Sequence, residues 1–127
     1  MIHSYKDLTV WQRSMELVVV VYELTEQYPV EEKFGLTAQT RKSAVSIPSN
    51  IAEGRFRKTK KDFLNFINIA YVSGAELETQ IEIAKRLPKT KDLDYKKVDS
   101  LLEEVMKMLN AMYKNLEANK PACRQAR

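Results

Sequence analysis

The sequence predicts an all-α protein, an antiparallel up-and-down bundle of four helices that forms a single domain over residues 1–127. Glycine and proline are scarce, at three and four residues, which argues against a turn-rich β protein. Hydrophobic residues make up 44% of the chain, which is enough for one core. Apolar residues also recur at alternating spacings of three and four over long segments, and this is the period of a helix.

The first helix is expected over residues 7–28, with Asp7 as its N-cap and Pro29 as its end. One stripe of side chains recurs at helical spacing: Leu8, Trp11, Met15, Val18, Tyr22 and Thr25. The apolar residues Val19 to Val21 and Leu24 lie outside this stripe. A helix that is apolar around so much of its circumference must be covered on more than one side. It is therefore either central in the bundle or in contact with another subunit.

The second helix is expected over residues 36–57 and carries two stripes. The apolar stripe contains Ala44, Ile47, Ile51 and Gly54, and the polar stripe contains Ser46, Ser49, Asn50 and Glu53. Pro48 lies between them and has no backbone N–H, so the carbonyl of Ala44 loses its helical partner. We expect the helix to bend near Pro48 or to break there into two helices.

The third and fourth helices are expected over residues 60–86 and 95–119, with Asp94 as the cap of the fourth and a loose tail over 120–127. The stripe of the third helix contains Phe63, Ile67, Ala70, Gly74, Leu77, Ile81 and Ala84. The stripe of the fourth contains Val98, Leu102, Val105, Leu109, Met112 and Leu116. A period near 3.5 predicts the shallow crossing angles of a bundle.

Positive charge is concentrated around the turn between the second and third helices. Seven basic residues and one acid, Glu53, lie between positions 41 and 61, a net charge of +6 in a chain of net charge +4. Such a surface attracts phosphate backbones, and Phe56 is placed to stack on an unpaired base. The other interpretation is a solvated helix end with Phe56 folded onto the core.

The polar stripe of the second helix predicts a hydrogen-bonded network beside Pro48, with Arg41 or Arg57 as the ion partner of Glu53. The reason is that a buried carboxylate requires such partners. A functional interpretation of the same stripe makes Glu53 a buried acid with a chemical role.

No catalytic, cofactor or metal site is apparent in the sequence. His3 is the only histidine and Cys123 the only cysteine, so neither a zinc site nor an internal disulfide is expected. The apolar run from Leu17 to Tyr22 is too short to span a bilayer, and no signal-peptide pattern occurs. We therefore expect a cytoplasmic protein that is not an enzyme, binds no cofactor and has no membrane partner.

Three segments resemble the four-helix-bundle family of the 23S rRNA-intervening-sequence proteins of bacteria: DLTVWQRSMELV, FGLTAQTRKSAVSIPSNIAEGRFR and FLNFINIAYVSGAELETQIEIA. The resemblance covers roughly Asp7 to Arg86, and the fourth helix is similar only in pattern. It implies a homo-oligomer, usually a pentameric ring. Related bundles are accessory proteins of reverse transcriptases in diversity-generating retroelements, where the basic ring surface contacts nucleic acid and the polymerase.

Together these features predict a homo-oligomeric module that binds nucleic acid, RNA rather than DNA. The residues expected at its interface are Arg41, Lys42, Arg55, Phe56, Arg57, Lys58, Lys60 and Lys61. The structural polar motif comprises Ser46, Pro48, Ser49, Asn50, Glu53 and Gly54. Arginine is frequent at the position of Lys42 in the family that this sequence resembles. Lysine lacks the planar, forked guanidinium group of arginine. The alternative is an oligomeric scaffold, or an accessory subunit of a reverse transcriptase or another protein partner, with no nucleic-acid affinity of its own.

Overall fold

The computed structural model describes residues 4–118 and is all-helical over that range. It contains a 3₁₀ turn at Tyr5–Asp7, helix α1 at Thr9–Thr25, a second 3₁₀ turn at Val30–Glu32, and three further helices. These are α2 at Leu36–Arg55, α3 at Lys60–Ala84 and α4 at Lys96–Ala118. The predicted all-α fold with four helices is confirmed. His3, Cys123 and the predicted tail 120–127 lie outside the described residues.

Each helix packs against two neighbours, in the cyclic order α1, α2, α3, α4. Tyr5, just ahead of α1, contacts Phe56 at the end of α2, so these two helices run in opposite directions. Because α1 contacts only α2 and α4 among the helices, it occupies a corner of the bundle. The alternative in which α1 is central is therefore wrong.

The core is formed by the apolar stripes that the sequence predicts on α2, α3 and α4. Along α2, the whole stripe from Ala44 to Gly54 is buried. The same holds from Ile67 to Ala84 on α3 and from Val98 to Leu109 on α4. Helical periodicity predicted these faces because the residues of each stripe recur at spacings of three and four.

Helix α1 presents a different face from its most regular stripe. The side chains that it buries are Val10, Ser14, Leu17, Val20, Val21, Leu24 and Thr25. By contrast, Met15, Val19 and Tyr22 are exposed, and Val19 retains 56% of its accessible surface. Since α1 is apolar almost all round, periodicity could not decide which side faces the core.

The start of α1 also differs from the prediction that Asp7 is its cap. The Ser4 hydroxyl accepts a hydrogen bond from the Lys6 amide and caps the 3₁₀ turn that contains Asp7. Leu8 then adopts an extended conformation and occupies the N-cap position without a side-chain hydrogen bond. The helix begins two residues later than predicted because the 3₁₀ turn takes up the preceding residues.

Helix α2 is continuous across Pro48, which is buried, so the alternative of two separate helices is wrong. At its end, Gly54 lies against α3. A β-carbon at Gly54 would be 3.0 Å from Cβ of Phe66 and 3.2 Å from Cδ1 of Phe63. The absence of a side chain therefore lets the two helices approach closely just before the chain turns.

Two capping arrangements fix the starts of the later helices. Thr59 Oγ1 accepts a hydrogen bond from the Asp62 amide at 3.1 Å and caps α3. Asp94 Oδ1 accepts from the Lys96 amide at 3.0 Å, while the Tyr95 carbonyl accepts from the Asp99 amide. Asp94, the predicted cap, therefore supports the start of α4, but it lies one position before Tyr95, the residue that directly precedes the helix.

The opposite end of the bundle is closed by buried polar side chains. The Thr90 hydroxyl donates to the Ala84 carbonyl at 2.6 Å, and the Tyr95 hydroxyl donates to the Thr90 carbonyl at 2.7 Å. The Tyr28 hydroxyl is buried beside them without a well-aligned hydrogen-bond partner among the described residues. Burial, together with the proximity of Tyr95, raises the pKa of Tyr28.

Candidate nucleic-acid interface

The candidate interface is the turn between α2 and α3, called here the basic end (residues 53–62). The backbone turns sharply because Phe56 terminates α2 and Thr59 caps α3. Arg55, Lys58 and Lys61 are exposed around this turn. None of these three side chains forms an ion pair with another described residue. Their charge is therefore available to an external anion.

Arg57 is held more firmly than its basic neighbours. Its Nη2 atom lies 2.7 Å from Oε2 of Glu53, one turn earlier on α2. Its guanidinium also lies over the ring of Phe66, with 4.6 Å between Cζ and the ring centroid. The structure thus selects Arg57, and not Arg41, as the ion partner of Glu53. Lys60 is half-buried at the first position of α3.

Phe56 projects away from the core and remains 77% exposed. The interpretation in which Phe56 folds onto the core is therefore wrong. Its ring contacts that of Tyr5, with 5.8 Å between centroids and an interplanar angle of 59°. Tyr5 in turn makes an edge-on contact with Trp11 at 5.3 Å. The three rings form a continuous aromatic cluster beside the basic side chains.

Tyr5 was not predicted as part of this site. It lies near the beginning of the sequence and contacts Phe56 only because α1 and α2 are antiparallel neighbours. No local pattern links the two residues. The one available indication was that Tyr5 and Trp11 are aromatic residues close to the expected start of α1.

Arg41 lies far along α2 from the turn and is bound to the end of α1. Its Nε atom donates to Thr25 Oγ1 at 2.8 Å, and its guanidinium lies 4.4 Å from the centroid of the Tyr22 ring. It also pairs with Glu26 at 3.7 Å. Lys42, the next residue, is exposed. The structure does not bring Arg41 and Lys42 into the cluster at the turn.

The polar motif joins α2 to α3 through a small network. Ser46 Oγ lies 2.8 Å from Ser73 Oγ, and Asn50 Nδ2 donates both to Ser46 Oγ at 2.9 Å and to the Ser46 carbonyl at 2.8 Å. Ser49 is exposed on the outer side of α2. The Glu53 side chain is 53% exposed, so the interpretation of Glu53 as a buried acid is wrong.

Net charge distinguishes the basic end from the opposite end of the molecule. Residues 53–62 contain five basic and two acidic side chains, a net charge of +3. At the opposite end, residues 26–33 carry −2 and residues 82–99 carry +2, which together give zero. An approaching polyanion is therefore attracted to the basic end more strongly than to the opposite end.

An apolar groove runs between α1 and α2 from the aromatic cluster towards the middle of the bundle. It has a volume of about 350 Å³ and is lined by Tyr5, Trp11, Met15, Val18, Val45, Pro48, Ser49 and Ala52. Together with the exposed Val19 and Tyr22, it forms an apolar strip on α1 and α2. Large exposed apolar patches are found at protein and membrane contacts and in ligand-binding grooves.

Two searches of the described residues bear on other kinds of site. Between residues 4 and 118, no group of three or more His, Cys, Asp or Glu side chains is arranged to hold a metal ion. In the same range, no helix combines the length and apolar character that crossing a membrane requires.

Comparison with protein families gives a match that covers most of the chain. The family model described as 23S rRNA-intervening sequence protein matches residues 6–111. This range extends from within the first 3₁₀ turn through most of α4, so it contains the basic end and the polar motif. It also contains Trp11 and Phe56 of the aromatic cluster, whereas Tyr5 lies one residue before it. No curated protein matches the sequence.

Proposed function

Because the chain belongs to the 23S rRNA-intervening sequence protein family, we propose that it is a non-enzymatic RNA-binding module that acts through its basic end. The observation that carries this proposal is the exposure of Arg55, Lys58 and Lys61 without an acidic partner among the described residues. Cations in this state neutralise phosphates and release counterions without first breaking an internal ion pair. The family is named after sequences that lie within 23S rRNA genes, and this name is in keeping with an RNA ligand.

The proposal gives different roles to the seven basic residues predicted at the interface. The exposed trio Arg55, Lys58 and Lys61 contacts phosphates directly, and Lys60 adds to the local positive field. Arg57 is partly neutralised by Glu53 and contributes less. Arg41 and Lys42 lie outside the contact area, since Arg41 is engaged by Thr25 and Glu26.

A salt-dependent binding measurement tests this proposal. Fluorescence anisotropy of labelled structured RNA and duplex DNA compares the wild type with an Arg55→Glu, Lys58→Glu, Lys61→Glu variant. The matched control reverses Lys91, Lys96 and Lys97, which are exposed at the opposite end. Both variants change the net charge by the same amount, so they separate location from total charge.

We expect wild-type affinity to fall by about 40-fold between about 50 and 200 mM salt, as the salt dependence of three phosphate contacts predicts. The basic-end variant should lose about 100-fold in affinity, and the control should stay within about 3-fold of the wild type. Equal losses of affinity in both variants would show that binding depends on the total positive charge of the protein and not on a defined surface. Absence of wild-type binding at low salt would overturn the proposal.

A second candidate function is an oligomeric scaffold or accessory subunit that binds a protein partner, for example a reverse transcriptase. The apolar strip on α1 and α2 favours it, because Met15, Val19 and Tyr22 are exposed although the helix is rich in apolar residues. The strip also supports self-association, and the pentamer implied by the family resemblance is part of this proposal. Both functions are compatible, since the strip and the basic end are different surfaces.

Light scattering after size-exclusion chromatography tests self-association. We expect the wild type to elute as a multiple of the 14.7 kDa chain. A Met15→Glu, Val19→Glu variant should elute as a helical monomer. The control variant, Ser100→Glu, Asn110→Glu, places the same charges on the exposed side of α4 and should keep the wild-type mass. A monomeric wild type would exclude a homo-oligomer.

A further inference from the structure

We propose that the basic end recognises RNA whose bases are unpaired, and that Phe56 supplies the surface on which a base stacks. This inference rests on the proposed function and specifies its ligand. It begins from the placement of a fully apolar ring, 77% exposed, at the centre of a cationic turn. The fold gains little apolar burial from Phe56, so its ring is available to a ligand.

The position of the Phe56 ring is defined by its neighbours. Tyr5 contacts it at 5.8 Å and is itself supported edge-on by Trp11 at 5.3 Å. The 3₁₀ turn that carries Tyr5 is held in place at its Lys6 carbonyl, which accepts a hydrogen bond from Gln12 Nε2 at 2.9 Å. One side of Phe56 thus rests on a supported ring, while most of the ring remains open to solvent.

The surrounding charges identify the occupant of this open face as a nucleic acid. Arg55 precedes Phe56, and Lys58 follows two residues later, and both are exposed. A base that stacked on Phe56 would therefore have its flanking phosphates close to these cations. A protein partner that covered the same ring would have to bring acidic groups to an area of net charge +3.

The base must be unpaired because a duplex hides the faces of its bases inside the stack. A paired helix offers only its phosphates and groove edges to the basic end, whereas a single strand can splay a base onto an aromatic ring. Stacking is tolerant of sequence, since every base has a π-face. The arrangement therefore predicts a preference for strand form without a preference for sequence.

The experiment compares a labelled single-stranded RNA of about 12 nucleotides, within the range of known single-strand site sizes, with the same RNA annealed to its complement. The proteins are the wild type, Phe56→Ala, Phe56→Leu and Phe56→Trp. Leucine is the matched control for apolar bulk because it lacks an aromatic face. The basic-end variant with Arg55, Lys58 and Lys61 reversed is measured alongside them.

We expect Phe56→Ala and Phe56→Leu to weaken binding of the single strand by about 10-fold. Binding of the duplex should change by less than about 2-fold, because the cations remain. Phe56→Trp should retain the wild-type preference for the single strand. These variants are expected to fold normally because the side chain is exposed, and circular dichroism checks this.

The outcomes separate this inference from the proposed function. If the charge-reversed variant loses both ligands but the Phe56 variants bind both as the wild type does, the stacking role is wrong and the phosphate-binding surface stands. Equal weakening of single strand and duplex in the Phe56 variants also overturns the stacking role. If the wild type binds neither ligand at low salt, the proposed function itself fails.

Discussion

The two ends of the bundle close the same core in different ways. At the basic end, Gly54 allows α2 to approach α3 closely, and the side chains of residues 55–59 in the turn are exposed. The opposite end, called here the loop end (residues 26–35 and 85–95), is closed by side chains. Tyr28, Thr90 and Tyr95 are buried there, and two hydrogen bonds bind Thr90 and Tyr95 to the surrounding backbone.

The two ends also differ in how their charged side chains are paired, because those near the loop end form ion pairs with one another. Near the loop end, Lys85 Nζ lies 2.8 Å from Asp99 and 3.0 Å from Glu82. The hydrogen bond to Asp99 raises the pKa of Lys85, and the hydrogen bond from Lys85 lowers the pKa of Glu82. Lys89 pairs with Glu31 across the two connections. Side chains that hold connections together are not available to a ligand, whereas Arg55, Lys58 and Lys61 at the basic end are.

The largest effect on this comparison is expected from filling the close helix contact at the basic end. Gly54→Val places a branched side chain against Phe63 and Phe66, whose nearest atoms lie close to the backbone and cannot move far. Overpacking of this kind should lower the free energy of unfolding by about 2 kcal/mol, measured by urea denaturation. The control is Ala75→Val on the exposed side of α3, expected to change stability by less than about 0.7 kcal/mol. Equal stability of the two variants would show that close approach does not close this end.

A smaller loss is expected from removing one hydroxyl at the loop end. Tyr95→Phe leaves the Thr90 carbonyl, at a position only 1% exposed, without its hydrogen-bond donor. This should lower the free energy of unfolding by about 1–2 kcal/mol. Phe56→Leu, the corresponding change at the basic end, should alter it by less than about 0.5 kcal/mol. Thermal and urea denaturation measure the stability of both variants. A larger loss of stability in Phe56→Leu than in Tyr95→Phe would contradict the comparison of the two ends.

The smallest effect on stability is expected from Glu53→Ala, a change that makes the basic end more positive relative to the loop end. Glu53 and Arg57 form a half-exposed pair one helical turn apart, so its loss should change stability by less than about 0.5 kcal/mol. Removing the acid also frees Arg57 and should raise RNA affinity by about 2-fold at low salt. Glu76→Ala, which removes an exposed acid from the middle of α3, serves as the control and should leave affinity unchanged. A fall in affinity for Glu53→Ala would show that the Glu53–Arg57 pair positions the ligand.

Much of the fold could be predicted from the sequence because each helix carries its own pattern. The stripes of α2, α3 and α4 predicted the buried faces, since the residues of each stripe recur at the helical period. The breaks between helices followed from Pro29, from the polar run after Pro88 and from the charged turn around Lys58. The start of α1 was less accurate, because Ser4 caps a 3₁₀ turn ahead of it through a side-chain hydrogen bond that depends on local geometry.

The candidate site was only partly predictable. Its position and its positive charge were evident from the spacing of basic residues. The sequence did not show which of those residues are available to a ligand, because ion pairing depends on neighbours from other turns and other helices. Arg41 is engaged by Thr25 and Glu26, and Arg57 by Glu53, while Arg55 keeps its charge exposed.

By itself, the sequence determined that four helices form and where positive charge is concentrated. Each of these features depends only on the order of residues within its own segment of the chain. Only the tertiary structure decided which side of α1 is buried, because a helix that is apolar around much of its circumference takes its orientation from the helices it packs against. The contact between Tyr5 and Phe56 has the same origin. Two residues far apart in the chain meet there because the antiparallel packing of α1 and α2 brings the start of one helix to the end of the other.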